Sequence, residues 1–204
     1  MCMFKDLDFL EIGTSDFDTL LQSADDTTVG ISVEPIARYL DNLPSRANVV
    51  KLNVAVMAAS RDEVCEVYFV PEEAIASHNL PDYLRGCNSI NGYHWQHTNL
   101  KIEHLVERHA VRQMHIAELL KEHNVRKINV LKIDTEGGDC YIMQDLFEYL
   151  QDKDVDFYPV NISFESNSLT DQNYVSMIIG LYQSIGYTLV SRSYTEDTVL
   201  KLDR

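Results

Sequence analysis

DFLEIGTSDF, residues 8–17, is the stretch that decides the fold. The apolar run Leu7 to Ile12 carries one carboxylate, Glu11, next to its end, and Gly13 follows at once with Thr14, Ser15 and Asp16. This is a strand entering a tight turn and then a helix. Gly13 allows close backbone approach, and Phe17, Leu20 and Leu21 share one helical face behind Thr14 and Ser15, the expected N-caps.

The same unit recurs along the chain. Val29 to Val33 predicts a second strand, after which Pro35 opens a helix with Ile36, Tyr39, Leu40 and Leu43 at i, i+3, i+4 and i+7. Val49 to Val56 predicts a third strand. Ile128 to Ile133 predicts a fourth, leading to a helix with Met143, Leu146, Phe147 and Leu150 on one face. Phe157 to Phe164 predicts a fifth, followed by a helix marked by Val175, Ile178, Ile179 and Tyr182 and ended by Gly186. The short loop Thr195 to Asp197 then joins Tyr187 to Tyr194 with Thr198 to Leu202 as a hairpin.

Alternating strands and helices of this kind imply an α/β, doubly wound, mainly parallel seven-stranded sheet with a terminal antiparallel hairpin. The expectation is a single domain over residues 1–204, with an insert at about 60–124. Within the insert, CEVYFV and ERHAVRQM read as edge strands, and Ile116 to His123 as a helix. The stretch Pro71 to Leu100 is rich in Asn, His, Gly and Tyr, and a loop of that length is commonly functional.

Composition excludes several classes. With 17 Lys and Arg against 32 Asp and Glu, the formal charge of −15 repels a phosphate backbone, so no nucleic-acid partner is expected. The basic residues Arg108, Arg112, Lys121, Arg126 and Lys127 alternate with Glu107, Glu118 and Glu122, as on a solvated face. No apolar run approaches the ~20 residues that span a bilayer. The cysteines 2, 65, 87 and 140 lack paired metal-ligand spacing, and no apolar leader precedes Leu7, so free thiols and a cytoplasmic location are expected.

In doubly wound sheets, ligands bind beyond the carboxyl ends of the strands. Glu11 and Glu34 stand at the ends of the first two, 23 positions apart, where an acid can accept a ribose diol. The three-glycine loop of a dinucleotide site is missing, and Asp16 and Asp18 would repel a diphosphate. A cationic sulfonium ligand with an amino group suits these acids better. The fourth strand ends in LKIDTEGGD, placing Lys132, Asp134 and Glu136 at an apolar terminus; the fifth ends in FESN, with Glu165 and Asn167 at the same rim. The bland alternatives are that Glu11 only ends a strand and that Lys132 only neutralises Asp134 or Glu165.

DFLEIGTSDFDTL, SVEP, KLNVAVMAAS and LKIDTEGGDCYIMQDL, in this order and spacing, resemble the successive motifs of the FkbM family of methyltransferases, over nearly the whole chain. The resemblance implies a class I, Rossmann-like methyltransferase fold, S-adenosylmethionine as methyl donor and a hydroxyl oxygen as acceptor. On matched positions it implies that Glu11, Gly13, Thr14 and Ser15 line the methionine moiety, Glu34 the ribose, and Asn53, Ala55 and Val56 the adenine. Lys132, Asp134 and Glu136 would face the reacting centre as catalytic residues. The single glycine of the first motif departs from the pattern. No helices precede the first strand, so a lid is expected from Pro71 to Leu100 or from a partner subunit in a homo-oligomer.

The acceptor class is a small molecule or glycan. A divalent metal held by Asp134, Glu165 and Asn167 is conceivable because oxygen ligands suit magnesium, but Lys132 competes for the same acids. His94, His97, His104 and His109 read as metal ligands, as a general base or as ordinary loop residues. Tyr93 and Trp95 beside His94 read as an acceptor wall or a small satellite core. A nicotinamide dehydrogenase is the rival enzyme, and a non-catalytic module that binds S-adenosylmethionine is the rival from another class.

Overall fold

The computed structural model describes residues 5–57, 63–90, 92–167, 169–193 and 197–203. Its elements, in chain order, are β1 (Lys5–Ile12), α1 (Leu20–Ser23), β2 (Gly30–Val33), α2 (Ala37–Asn42), β3 (Val49–Leu52) and β4 (Ala55–Val56). Then come β5 (Val64–Phe69), α3 (Glu72–Ser77), α4 (Trp95–Asn99), β6 (Glu107–Met114), α5 (Ile116–Glu122) and β7 (Val125–Ile133). The chain closes with α6 (Asp139–Leu150), β8 (Asn161–Glu165), α7 (Gln172–Ser184), β9 (Tyr187–Ser191) and β10 (Asp197–Leu202).

Seven strands form one sheet in the order β3-β2-β1-β7-β8-β10-β9. The pairs from β3 to β8 are parallel, and β10 runs antiparallel to both neighbours, β8 and β9. The chain order reverses at β1, which pairs with β2 on one side and β7 on the other. That switch point opens a crevice at the carboxyl ends. This is a Rossmann-like, doubly wound fold with a terminal antiparallel hairpin.

Alternation along each strand sends apolar side chains to both faces. Phe9 packs with Leu21, Leu40 and Leu43 under α1 and α2. Leu10, Ile12, Leu131 and Ile133 pack with Met143, Leu146, Val175 and Ile178 of α6 and α7. Tyr182 is wholly buried in this second layer, where its hydroxyl donates to the Met143 carbonyl at 2.9 Å. No helix among the described residues is long and apolar enough to cross a membrane.

Several boundaries differ from the sequence expectation, each for a local reason. The predicted third strand, Val49 to Val56, is two strands. The Asn53 side chain donates to the Glu34 and Pro35 carbonyls (3.0 and 2.8 Å), and beyond it β4 joins a separate sheet ordered β4-β6-β5. CEVYFV and ERHAVRQM therefore pair mainly with each other, antiparallel from Val64↔Arg112 to Phe69↔Glu107.

The first helix is capped by Thr19, not Thr14 or Ser15. Ser15 and Asp18 have φ of 52° and 54°, which no helix accommodates, whereas Thr19 and Gln22 form a reciprocal capping box. Phe17 is consequently 42% exposed rather than on the helix face. The second helix begins at Ala37, two residues after Pro35, with the expected Ile36, Tyr39, Leu40 and Leu43 all buried. The fifth strand starts at Asn161, because Val155–Phe157 forms a single 3₁₀ turn. Gly186 follows the C-cap of α7 with φ of 97°, as its position implied. In the terminal hairpin loop, Tyr194, Thr195 and Glu196 lie outside the described residues, and Asp197 already belongs to β10.

Gly13 has φ of 80°, and a Cβ there would lie 1.7 Å from the Asp134 carbonyl oxygen. Gly13→Ala is expected to lower Tm by more than about 5 °C, since both strain and a backbone clash oppose it. Gly180 in α7 has open space around it, so Gly180→Ala is expected to raise Tm by roughly 1–4 °C through helix propensity. Thermal scans of the two variants check both signs.

Candidate functional site

The crevice beyond β1, β2 and β7 holds a cavity of about 350 Å³. Its floor is the loop after β1, with Gly13, Thr14 and Ser15; its sides are Glu34 at the end of β2 and Lys132, Asp134 and Glu136 at the end of β7. Val54, Ala55, Val56, Val67 and Ile90 form an apolar wall. The roof comes from the insert, where Tyr83, Gly86, Cys87, Asn88 and Ser89 lie within Pro71 to Leu100, the segment from which a lid was expected.

Of the residues expected at a donor site, Gly13, Thr14, Ser15, Glu34, Ala55 and Val56 line the cavity, as do the three expected at the reacting centre. Glu11 and Asn53 do not. Glu11 is fully buried beneath the loop, accepts the Leu20 amide with both oxygens at 3.1 Å, and lies 3.5 Å from Lys132 Nζ. It holds the loop and α1 in place. Asn53 serves as the tie at the sheet switch.

Glu34 is buried and accepts from the amides of Ser15 (2.8 Å) and Ile36 (2.9 Å). It thereby fixes the floor of the cavity while lining it. Burial pushes its carboxyl up to about 7, with Asp16 and Asp134 adding to the rise against those two bonds. Asp139, fully buried in the first turn of α6, plays the same part for the loop after β7. It accepts from Thr135 Oγ1 at 3.0 Å and from the Thr135 and Gly137 amides, and burial raises it to about 7.

Lys132 Nζ donates to the Asp18 carbonyl at 3.3 Å and stands 4.0 Å from Asp134. Its nearest carboxylate is Glu11, not the Asp134 or Glu165 foreseen as alternatives. Burial raises Asp134 to about 6 despite Lys132, with Glu136 adding to it. Glu165 is pushed to about 9 by burial and then by Glu136, Asp139 and Asp134. Asn167 donates to Glu165, so it orients that acid. Asp134, Glu136 and Glu165 each bring an oxygen within 4.8 Å of the others, one of the clusters with cation-ligand spacing among the described residues.

Three parts of the site were not singled out from the sequence. Asp16 is buried and forms an ion pair with Arg85 of the insert, while Asn42 donates to its other oxygen at 2.7 Å. Arg85 also stands over the Phe17 ring, 5.5 Å from its centre, so the roof is fastened to the floor by charge and stacking. Cys87 faces the acids, and burial with Glu136 and Glu165 lifts its thiol to about 12. Tyr83 and Phe17, rather than Tyr93 and Trp95, give the cavity its aromatic edge. His94 is buried, with Nε2 3.2 Å from Glu136 Oε2. His97 is buried, and His109 is exposed on β6.

The family model described as the Methyltransferase FkbM domain matches residues 11–189. No match is found among curated proteins or among solved structures. The matched residues run from the end of β1 into β9 and include every strand end around the cavity together with the roofing insert; the chain belongs to the FkbM family of methyltransferases.

Proposed function

We propose that the chain is an S-adenosylmethionine-dependent methyltransferase acting on a hydroxyl oxygen of a small molecule or glycan. The observation that carries this reading is electrostatic. Asp18, Glu34, Asp134, Glu136 and Glu165 line one cavity with a single cation, Lys132, among the described residues. Burial first, and mutual repulsion among these acids second, makes Glu34, Asp134 and Glu165 resist ionisation. A cationic ligand relieves that repulsion, while the diphosphate of a nicotinamide dinucleotide aggravates it.

The residues present also fit such a donor in shape. Glu34 spends one lone pair of each oxygen on the floor amides and retains others for a diol. The wall of Val54, Ala55, Val56 and Ile90 suits a flat base. Bound there, the donor supplies a methyl group on a positively charged sulfur. The protein's own task is to align an acceptor oxygen and to take its proton as the bond forms. Asp134, partly open to the cavity and poised near neutrality, suits the proton acceptor. Lys132 holds the β1 loop and limits the negative potential beneath it, and Glu165, protonated at neutral pH, can donate to the acceptor.

Calorimetric titration with S-adenosylmethionine and NAD in parallel tests the donor. Micromolar binding of the sulfonium alone is expected, weakened about tenfold or more (~1.4 kcal/mol) by Glu34→Ala. NAD binding, or none by either, would overturn the proposal. Asp134→Asn is expected to cut kcat roughly 10²–10⁴-fold with donor affinity retained, as loss of a proton acceptor does; unchanged turnover excludes that role.

The raised acids also fix a sign for stability. Folded Glu34, Asp139 and Glu165 hold protons up to about 7, 7 and 9, whereas unfolded carboxyls lose them near 4. Their contribution is present below pH ~4 and is lost as pH rises through these values. Tm of the ligand-free protein is therefore expected to fall between pH 6 and 9, and Glu165→Gln should flatten the upper part of that slope. A Tm rising over this interval would contradict the raised values.

A further inference from the structure

Where the insert meets the rim of β7, a second cluster has a different chemistry. Cys87 and His94 belong to the insert; Glu136 stands on the turn after β7 with φ of 54°. The thiol, the ring and the carboxylate each bring a donor atom within 4.8 Å of the other two. Cys87 and His94 are only 7% and 5% exposed. His94 Nε2 is buried without a hydrogen bond, for its 3.2 Å approach to Glu136 Oε2 lacks hydrogen-bond geometry. A buried ring nitrogen that approaches a carboxylate at 3.2 Å without a hydrogen bond, with a thiol in the same cluster, is poorly satisfied unless something sits among the three.

We propose that Cys87, His94 and Glu136 bind a divalent transition-metal ion of the zinc type, fastening the insert to the cavity rim. Sulfur, imidazole and carboxylate together are a donor set of zinc, and a thiol turns away magnesium and calcium. Cys87 and Glu136 both line the cavity, so an ion held by the three residues would sit at its rim.

Binding forms one bond each from sulfur, nitrogen and oxygen, and the thiol proton, donated to the Tyr83 carbonyl at 3.6 Å in the ion-free protein, leaves to solvent. Nδ1 of His94 accepts from the Gln96 amide at 3.3 Å, which puts the proton of the neutral ring on Nε2 in the ion-free protein. Loading moves that proton to Nδ1 and gives up one long cap bond of a five-residue helix, a small loss beside a metal–ligand bond. Glu136 is then committed to the ion, leaving Asp134 as proton acceptor. The site stands apart from the choice of methyl donor, and its test uses none.

The full chain, stripped with chelator and dialysed, is titrated with Co²⁺ while its absorption is recorded. One saturable equivalent with a thiolate-to-cobalt charge-transfer band, displaced by Zn²⁺, is expected. Cys87→Ser should abolish the band, and Cys65→Ser, on β5, should leave it unchanged. Glu136→Gln and His94→Gln should each weaken binding by more than about 100-fold, the upper end of what losing an outer-shell partner costs. A folded wild-type protein without the band, or a band that survives Cys87→Ser, overturns the site. If Cys87→Ser fails to fold by circular dichroism, Glu136→Gln decides, and unchanged cobalt affinity there overturns it equally.

Discussion

The loop after β1 lies directly on the backbone of the loop after β7. Asp134 N donates to the Ile12 carbonyl at 2.9 Å, Gly13 N donates to the Val33 carbonyl at 2.9 Å, and the Gly13 Cα leaves no room for a side chain against the Asp134 carbonyl. Three strand ends, those of β1, β2 and β7, are thereby stitched at one point. The floor of the cavity and the ends of β2 and β7 beside it take their position from that junction. The acids of three separate segments come together there because the backbones do, not because the acids attract one another.

The acids then do two things at once. Glu11, Glu34 and Asp139 each accept amide hydrogens from a loop that would otherwise present unpaired donors: Leu20 for the first, Ser15 and Ile36 for the second, Thr135 and Gly137 for the third. A carboxylate is a strong partner for backbone amides, which is why buried acids hold these turns. Burial, and after it neighbouring acids such as Asp16, Glu136 and Asp139, pushes Glu34, Asp134 and Glu165 towards the protonated state.

The insert closes the cavity by leaving the main sheet. At Asn53 the chain stops pairing with β2, and two residues later it pairs with β6, so the second sheet grows away from the first. Val54 to Val56 become an apolar wall in the process. The segment that follows β5 returns over the opening and is held there by Arg85, which reaches the buried Asp16 on the floor and also Glu72 on α3.

Much of the fold is legible in residue order alone. Apolar runs such as Leu7 to Ile12 and Ile128 to Ile133 are buried on both faces and so read as central strands, while the i, i+3, i+4 spacing of Ile36, Tyr39, Leu40 and Leu43 marks a helix whatever its partners. Gly13 and the acids at the strand ends are likewise visible, because a strand end next to a glycine has few other uses. What the sequence could not decide depends on contacts between distant segments. The break at Asn53 rests on a side chain reaching carbonyls of Glu34 and Pro35; the floor-to-roof pair Asp16–Arg85 joins residues 69 positions apart; Glu11 turns inward to hold the Leu20 amide. Local pattern sets where strands and helices form, since that is governed by near neighbours. Which acids face the cavity and which are consumed in holding it is governed by packing across the sheet, and only the tertiary structure decides that.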